Sequence, residues 1–148
     1  MRNVTLFAFI LSLPLVVCGS FTAATQDKGA KGADKKLQGT WVGKRDPVNF
    51  TFTIKGDKFT FQMEFGDKKV VAKGIVKTNA TKSPKTLDMV FKEAKGEMSE
   101  FFKGTARGIY KFEKDNFVWC MNKPGESDRP EAFENKPGYL LLTYERKK

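Results

Sequence analysis

The chain has 148 residues, enough for one modest domain, with 27 basic against 17 acidic side chains and a formal charge of +10 at neutral pH. It has no histidine and only two cysteines, Cys18 and Cys120. The lack of histidine removes the commonest general base and the commonest zinc ligand, and two cysteines cannot build a disulfide framework.

Arg2 precedes an apolar run from Val4 to Val17, followed by small residues through Ala24. This is the order of a charged n-region, an apolar h-region and a small-residue exit, so residues 1–24 read as a signal peptide and the protein as exported. The run is shorter than the roughly 20 residues that span a bilayer, and Pro14 interrupts it. Leu15-Val16-Val17-Cys18 resembles a bacterial lipobox, with Val17 where Gly, Ala or Ser is usual. Lipidation of Cys18 is therefore one expectation, and a cut after Gly19 or Ala24 that releases a soluble chain is the other. The destination is periplasmic, secreted or envelope-attached, and Cys120 is expected to have no intramolecular partner. Residues 25–36 carry charge, Gly and Ala but nothing large and apolar, so they read as a flexible tether. The domain proper is expected over residues 37–148.

From Leu37 the dominant period is two, the mark of strands with one buried and one wet face. Leu37–Arg45 is the first. Phe50–Lys55 alternates without a break, Gly56-Asp57 supplies a tight turn, and Lys58–Phe65 places Phe59, Phe61, Met63 and Phe65 on one side. After Gly66-Asp67, Lys68–Thr78 aligns Val70, Ala72, Gly74 and Val76. Ser83-Pro84 is loop chemistry. Thr86–Lys92 then sets Leu87, Met89 and Phe91 against Asp88 and Val90. Glu93–Phe102 breaks the rhythm and reads as a helical turn or two, or as a lengthened hairpin loop. Lys103–Glu113 aligns Ala106, Gly108, Tyr110 and Phe112; Asn116–Met121 is almost wholly apolar; Tyr139–Arg146 closes the series. Between the last two, Lys123–Gly138 holds Pro124-Gly125, Arg129-Pro130 and Pro137-Gly138, a long crossing of the kind that is either functional or pinned by internal contacts.

About eight strands joined mostly by short turns, without a convincing long helix, predict an all-β, eight-stranded antiparallel up-and-down barrel. At this strand number the interior is just wide enough for side chains or for one small ligand. Eleven phenylalanines follow residue 24, so a packed interior competes with a hollow one.

Gly39-Thr40-Trp41 on the first strand resembles the Gly-x-Trp signature of the lipocalin and calycin barrels. That resemblance implies that Gly39 and Trp41 are structural. It also implies that Arg146, near the last strand, lies over the indole at the closed end, a cation–π contact of about 0.5–2 kcal/mol. More of the chain is similar to a small secreted, lipocalin-like domain family expanded in planctomycetes and without an assigned activity. The segments that carry it are Leu37–Trp41, Gly56–Thr60, Pro84–Asp88, Gly108-Ile109-Tyr110, Cys120, Arg129–Phe133 and Leu141–Arg146, in that order. Trp119 departs from that pattern, being bulkier than the aliphatic residue more usual there, which bears on the size of any cavity.

No catalytic residues, metal site or cofactor is expected. Cys120 sits among Phe117, Val118, Trp119 and Met121, where a thiol is inert packing and nothing nearby in sequence stabilises a thiolate. Asp88 and Glu131 form an acid pair only if folding brings them to a suitable separation. The ligand-binding candidates are Arg129, Tyr110, Phe133 and Asp88. Arg129 is either an anion-binding fork at the barrel mouth or the partner of an internal carboxylate such as Asp88, with Phe133 plugging the barrel. Tyr110 and Trp41 read as core or as ligand stackers.

The positive charge favours anionic partners such as an envelope polymer or lipid headgroups. The lysines, however, are spread singly, as on solvated strand faces. Nucleic acid is not expected for an exported chain without a binding motif, and a monomer is. Two binding roles stand beside the enzyme reading. A small-molecule or lipid binder needs an apolar cavity of a few hundred Å³. An envelope protein-interaction or inhibitor module needs a filled interior and an exposed apolar patch at Phe101 and Phe102.

Overall fold

A computed structural model describes residues 33–148. The chain forms eight strands: β1 (Gly39–Arg45), β2 (Val48–Lys55), β3 (Lys58–Phe65), β4 (Lys68–Asn79), β5 (Lys85–Gly96), β6 (Thr105–Glu113), β7 (Asn116–Asn122) and β8 (Tyr139–Arg146). They close into one antiparallel barrel in sequence order, as the alternation predicted. Closure comes from β8 returning to β1, with Trp41 opposite Arg146 and Gly43 opposite Tyr144. Four connections are two-residue turns, which fix the register of each pair they join.

The two stretches that broke the rhythm have distinct causes. In β5 the pairing runs from Phe91 opposite Gly74 directly to Glu93 opposite Lys73, so Lys92 is a bulge. The bulge resets the alternation and lets β5 continue to Gly96, through residues expected to lie in a loop. Only Ser99–Phe101 beyond it forms a 3-10 turn. The crossing from Lys123 to Gly138 has no strand of its own and lies along the outer wall. Gly125 N–H donates to Thr105 O at 3.1 Å, Arg107 Nη1 donates to Glu126 O at 2.8 Å, and the Cys120 thiol donates to Glu134 O at 3.6 Å. That cover explains why Phe117 to Asn122 are all buried although a strand has two faces.

The folded part also reaches back into the segment expected to be a tether. Lys35–Leu37 is a 3-10 turn capped by the Asp34 carboxylate, which accepts from Lys36 N–H, and Leu37 is fully buried. The signal segment, Cys18 and the rest of the tether lie outside the described residues.

Aromatic side chains fill the interior. Phe52 lies at the centre, stacked on Trp119 with centroids 5.9 Å apart and planes 8° apart, and in contact with Phe59, Phe61, Phe117 and Tyr144. Phe117 stacks in turn on Tyr144 and packs against Trp41. Each such ring, taken fully out of water, contributes about 1.5–3 kcal/mol. The middle of the barrel is thus a packed core, and the bulky Trp119 is part of the filling.

Candidate binding site at the barrel mouth

The two ends of the barrel differ chemically. One is sealed by the N-terminal 3-10 turn. Trp41 Nε1 donates to Leu37 O at 2.8 Å, Asp34 N–H donates to Thr78 Oγ1 at 3.0 Å, and the Tyr110 hydroxyl donates to the Asp34 carboxylate at 2.9 Å. The Arg146 guanidinium lies 4.2 Å above the Trp41 ring and donates to Gln38 O and Lys36 O at 2.7 and 2.8 Å. Gly39 has a φ of +115°, and a Cβ there would stand 2.8 Å from an Arg146 nitrogen. The glycine of the Gly-x-Trp pattern therefore makes room for the arginine that covers the tryptophan.

Tyr110 is consequently part of the seal. Burial, with the hydrogen bond and charge of Asp34 in support, pushes its phenol well above the ordinary tyrosine range.

Asp88 and Arg129 do come together, on the outer wall and not in the interior. The guanidinium donates to both Asp88 carboxylate oxygens, at 2.6 and 2.9 Å, and to Gly108 O at 2.6 Å. It clasps the crossing to β5 and β6, as in the carboxylate-pairing reading, and those donors are already used. A wide outer groove of about 740 Å³ passes this clasp, lined by charged and polar residues including Lys82, Thr86, Asp128 and Glu131. Phe133 does not plug the barrel: it is half-buried outside, with Lys111 Nζ 4.6 Å from its ring centroid. The sequence candidates are thus split between the sealed end and the outer wall.

Cys120 also faces the crossing. Burial raises its thiol above the ordinary range, which disfavours the nucleophilic thiolate. Among the described residues no group of three or more His, Cys, Asp or Glu side chains is placed to hold a metal ion.

The other end is open and holds an apolar pocket of about 240 Å³. Its floor is the end of the aromatic core, with Phe50, Phe61 and Trp119. Its wall is built by Met63, Met89, Met98 and Met121 with Phe91 and Leu140. The chain has five methionines and the fifth is Met1, so all four within the described residues line this one site. Phe102 is wedged between Phe61 and Phe91, at centroid distances of 5.6 and 5.5 Å, and anchors the 3-10 turn at the rim. Phe101, on the same turn, is 65% exposed.

Polar chemistry is scarce in this pocket. Asn122 uses its amide nitrogen on Asp128 O at 3.3 Å and its amide oxygen on Lys123 N–H at 2.7 Å. Only Lys123, at the rim, brings a charge. The pocket can therefore select apolarity and size, and its unbranched, polarisable thioethers can adjust to different shapes.

Alternation marks Met63 and Met89 as inward positions but does not connect them with Met98 and Met121. A partial signal was that Met63 and Met121 fall near the C-terminal ends of their strands and Met98 in the break after β5, whereas Met89 lies within β5. No known protein family, curated protein or solved structure matches the chain.

Proposed function

We propose that this chain is an exported, non-catalytic binding domain that holds a small apolar group at the open end of a lipocalin-like barrel. The observation that carries this reading is the convergence of Met63, Met89, Met98 and Met121 on one solvent-open apolar pocket above a packed core. Its volume lies just under the roughly 300–1,000 Å³ of common small-molecule pockets, so it suits an acyl-chain end or a single ring better than a large ligand. The ligand sits at the mouth because the aromatic core occupies the deeper space.

The calycin assignment rests on Gly39, Trp41 and Arg146, whose mutual contacts are those implied by the Gly-x-Trp resemblance. Export rests on the composition of residues 1–24, with lipid attachment at Cys18 as one outcome of processing.

Titration with the neutral fluorophore N-phenyl-1-naphthylamine tests the pocket. The expected result is a saturable, one-site rise in emission that Met98→Lys largely abolishes with the melting temperature little changed. Absence of saturable binding, or full binding by Met98→Lys, contradicts it.

A second reading, an interaction module for another envelope protein, is favoured by one observation: Phe101 projects into solvent beside the pocket. Phe101 also lines the pocket, so the two readings part at Met98→Lys, which removes fluorophore uptake but leaves a protein contact made through Phe101 in place.

A further inference from the structure

The net positive charge is distributed unevenly along the barrel axis. At the mouth, acidic side chains are interleaved with basic ones and form ion pairs: Lys44 with Asp46 at 2.8 Å, Lys69 with Glu64 at 3.0 Å and Lys68 with Glu97 at 3.2 Å. The sealed end differs. The N-terminal turn carries Lys36, the β2–β3 turn is flanked by Lys55 and Lys58, the β6–β7 turn carries Lys114, and Lys147 and Lys148 follow β8. None of these six has a carboxylate within ion-pairing distance among the described residues, and all six are exposed.

These lysines belong to one surface. Gln38 exchanges two hydrogen bonds with the Gly56 backbone, at 2.9 and 2.8 Å, which ties the N-terminal turn to the β2–β3 turn. Lys36, Lys114, Arg146 and Lys148 line a single depression against only two carboxylates, Asp115 and Glu145. Of the other acidic groups at this end, Asp57 is exposed in the β2–β3 turn between Lys55 and Lys58, Asp34 is engaged by Tyr110 and by the cap of its own turn, and Glu113 is paired with Lys111.

We infer that the sealed end is a docking surface for an anionic lipid bilayer, which turns the apolar mouth away from that bilayer. Two observations beyond the charge favour a bilayer over a soluble polyanion. Ala33, the first described residue, packs against the core at this end, so a lipid on Cys18, one outcome of processing, would tether the chain by its basic face. The cations are also spread over several turns as well as the depression, as suits a broad surface of headgroups.

The test is sedimentation of the full chain with vesicles of phosphatidylglycerol and phosphatidylcholine, against vesicles of phosphatidylcholine alone. Because every comparison is made in the same processed chain, any contribution of a lipid on Cys18 is common to all arms. The expected result is at least about tenfold stronger binding to the anionic vesicles, weakening steeply with salt. The variant Lys36→Glu/Lys58→Glu/Lys114→Glu/Lys148→Glu loses that preference with its circular dichroism unchanged. The mouth-end variant Lys92→Glu/Lys95→Glu/Lys103→Glu/Lys123→Glu, with the same change in net charge, keeps most of it. Equal binding to both vesicle types overturns the inference. So does equal loss in the two variants, or capture by soluble polyphosphate without capture by anionic vesicles.

Discussion

Gly108 and Trp119 share one space in the barrel: a Cβ built on the glycine would lie 2.3 Å from the indole nitrogen and 2.6 Å from the Cys120 carbonyl oxygen. The large ring fits across β6 and β7 only because its neighbour has no side chain. Gly108→Ala is therefore expected to cost about 1–3 kcal/mol through overpacking, toward the upper end because one clash is with backbone. Chemical denaturation checks this. In the Trp119→Phe background the cost should shrink but not vanish, since the carbonyl contact remains.

The Asp88–Arg129 clasp gives a second prediction. Removing the guanidinium leaves a half-buried carboxylate and the Gly108 carbonyl without their partner, so Arg129→Ala should lower stability by about 1–3 kcal/mol. Arg129→Lys should recover little, because one ammonium cannot meet both carboxylate oxygens and the carbonyl in the same geometry. Uptake of the naphthylamine probe at the mouth should be unchanged in both. A variant of normal stability that has lost probe binding would instead mark Arg129 as a ligand contact.

Tyr144 offers a test with a sign. Its hydroxyl is buried and has no hydrogen-bond partner among the described residues, and burial holds its pKa above the ordinary value near 10. The unfolded chain therefore loses this proton first as pH rises, so the tyrosine's share of stability is intact below about pH 10 and declines above it. Tyr110 shifts in the same direction. Tyr144→Phe should be more stable than the parent by about 1 kcal/mol at neutral pH, since it removes an unpaired buried hydroxyl. It should also lose stability less steeply between about pH 9 and 11. Denaturation midpoints across that range decide the matter.

The barrel was legible wherever a strand has one wet face. The alternation in β2, β3 and β4 and the two-residue turns between them located those strands closely, and counting them gave the closed architecture. Legibility failed where a second factor acts on the same residues. The Lys92 bulge shifts the phase of β5, so Ala94 and Gly96 read as loop although they pair with β4. In β7 the outer cover supplied by the crossing erases alternation altogether.

The candidate site was less legible because it is assembled by closure. Met63, Met89, Met98 and Met121 come from three strands and a turn, and no local spacing relates them. The Arg129–Asp88 partnership could be proposed from charge, but the side of the wall on which it forms depends on the path of the crossing. Phe133, read as a plug, lies outside for the same reason.

The central claim is that the four methionines at the open end form a binding site while the rest of the barrel is solid. Methyl NMR of protein labelled with ¹³C at the methionine, isoleucine and leucine methyl groups, titrated with decanol, tests it most directly. The account predicts saturable shifts of the Met63, Met89, Met98 and Met121 signals, with isoleucine and leucine methyls of the sealed end, such as Ile54 and Leu87, unmoved. Unchanged methionine signals at saturating decanol, or shifts concentrated at Ile54 and Leu87, would contradict it.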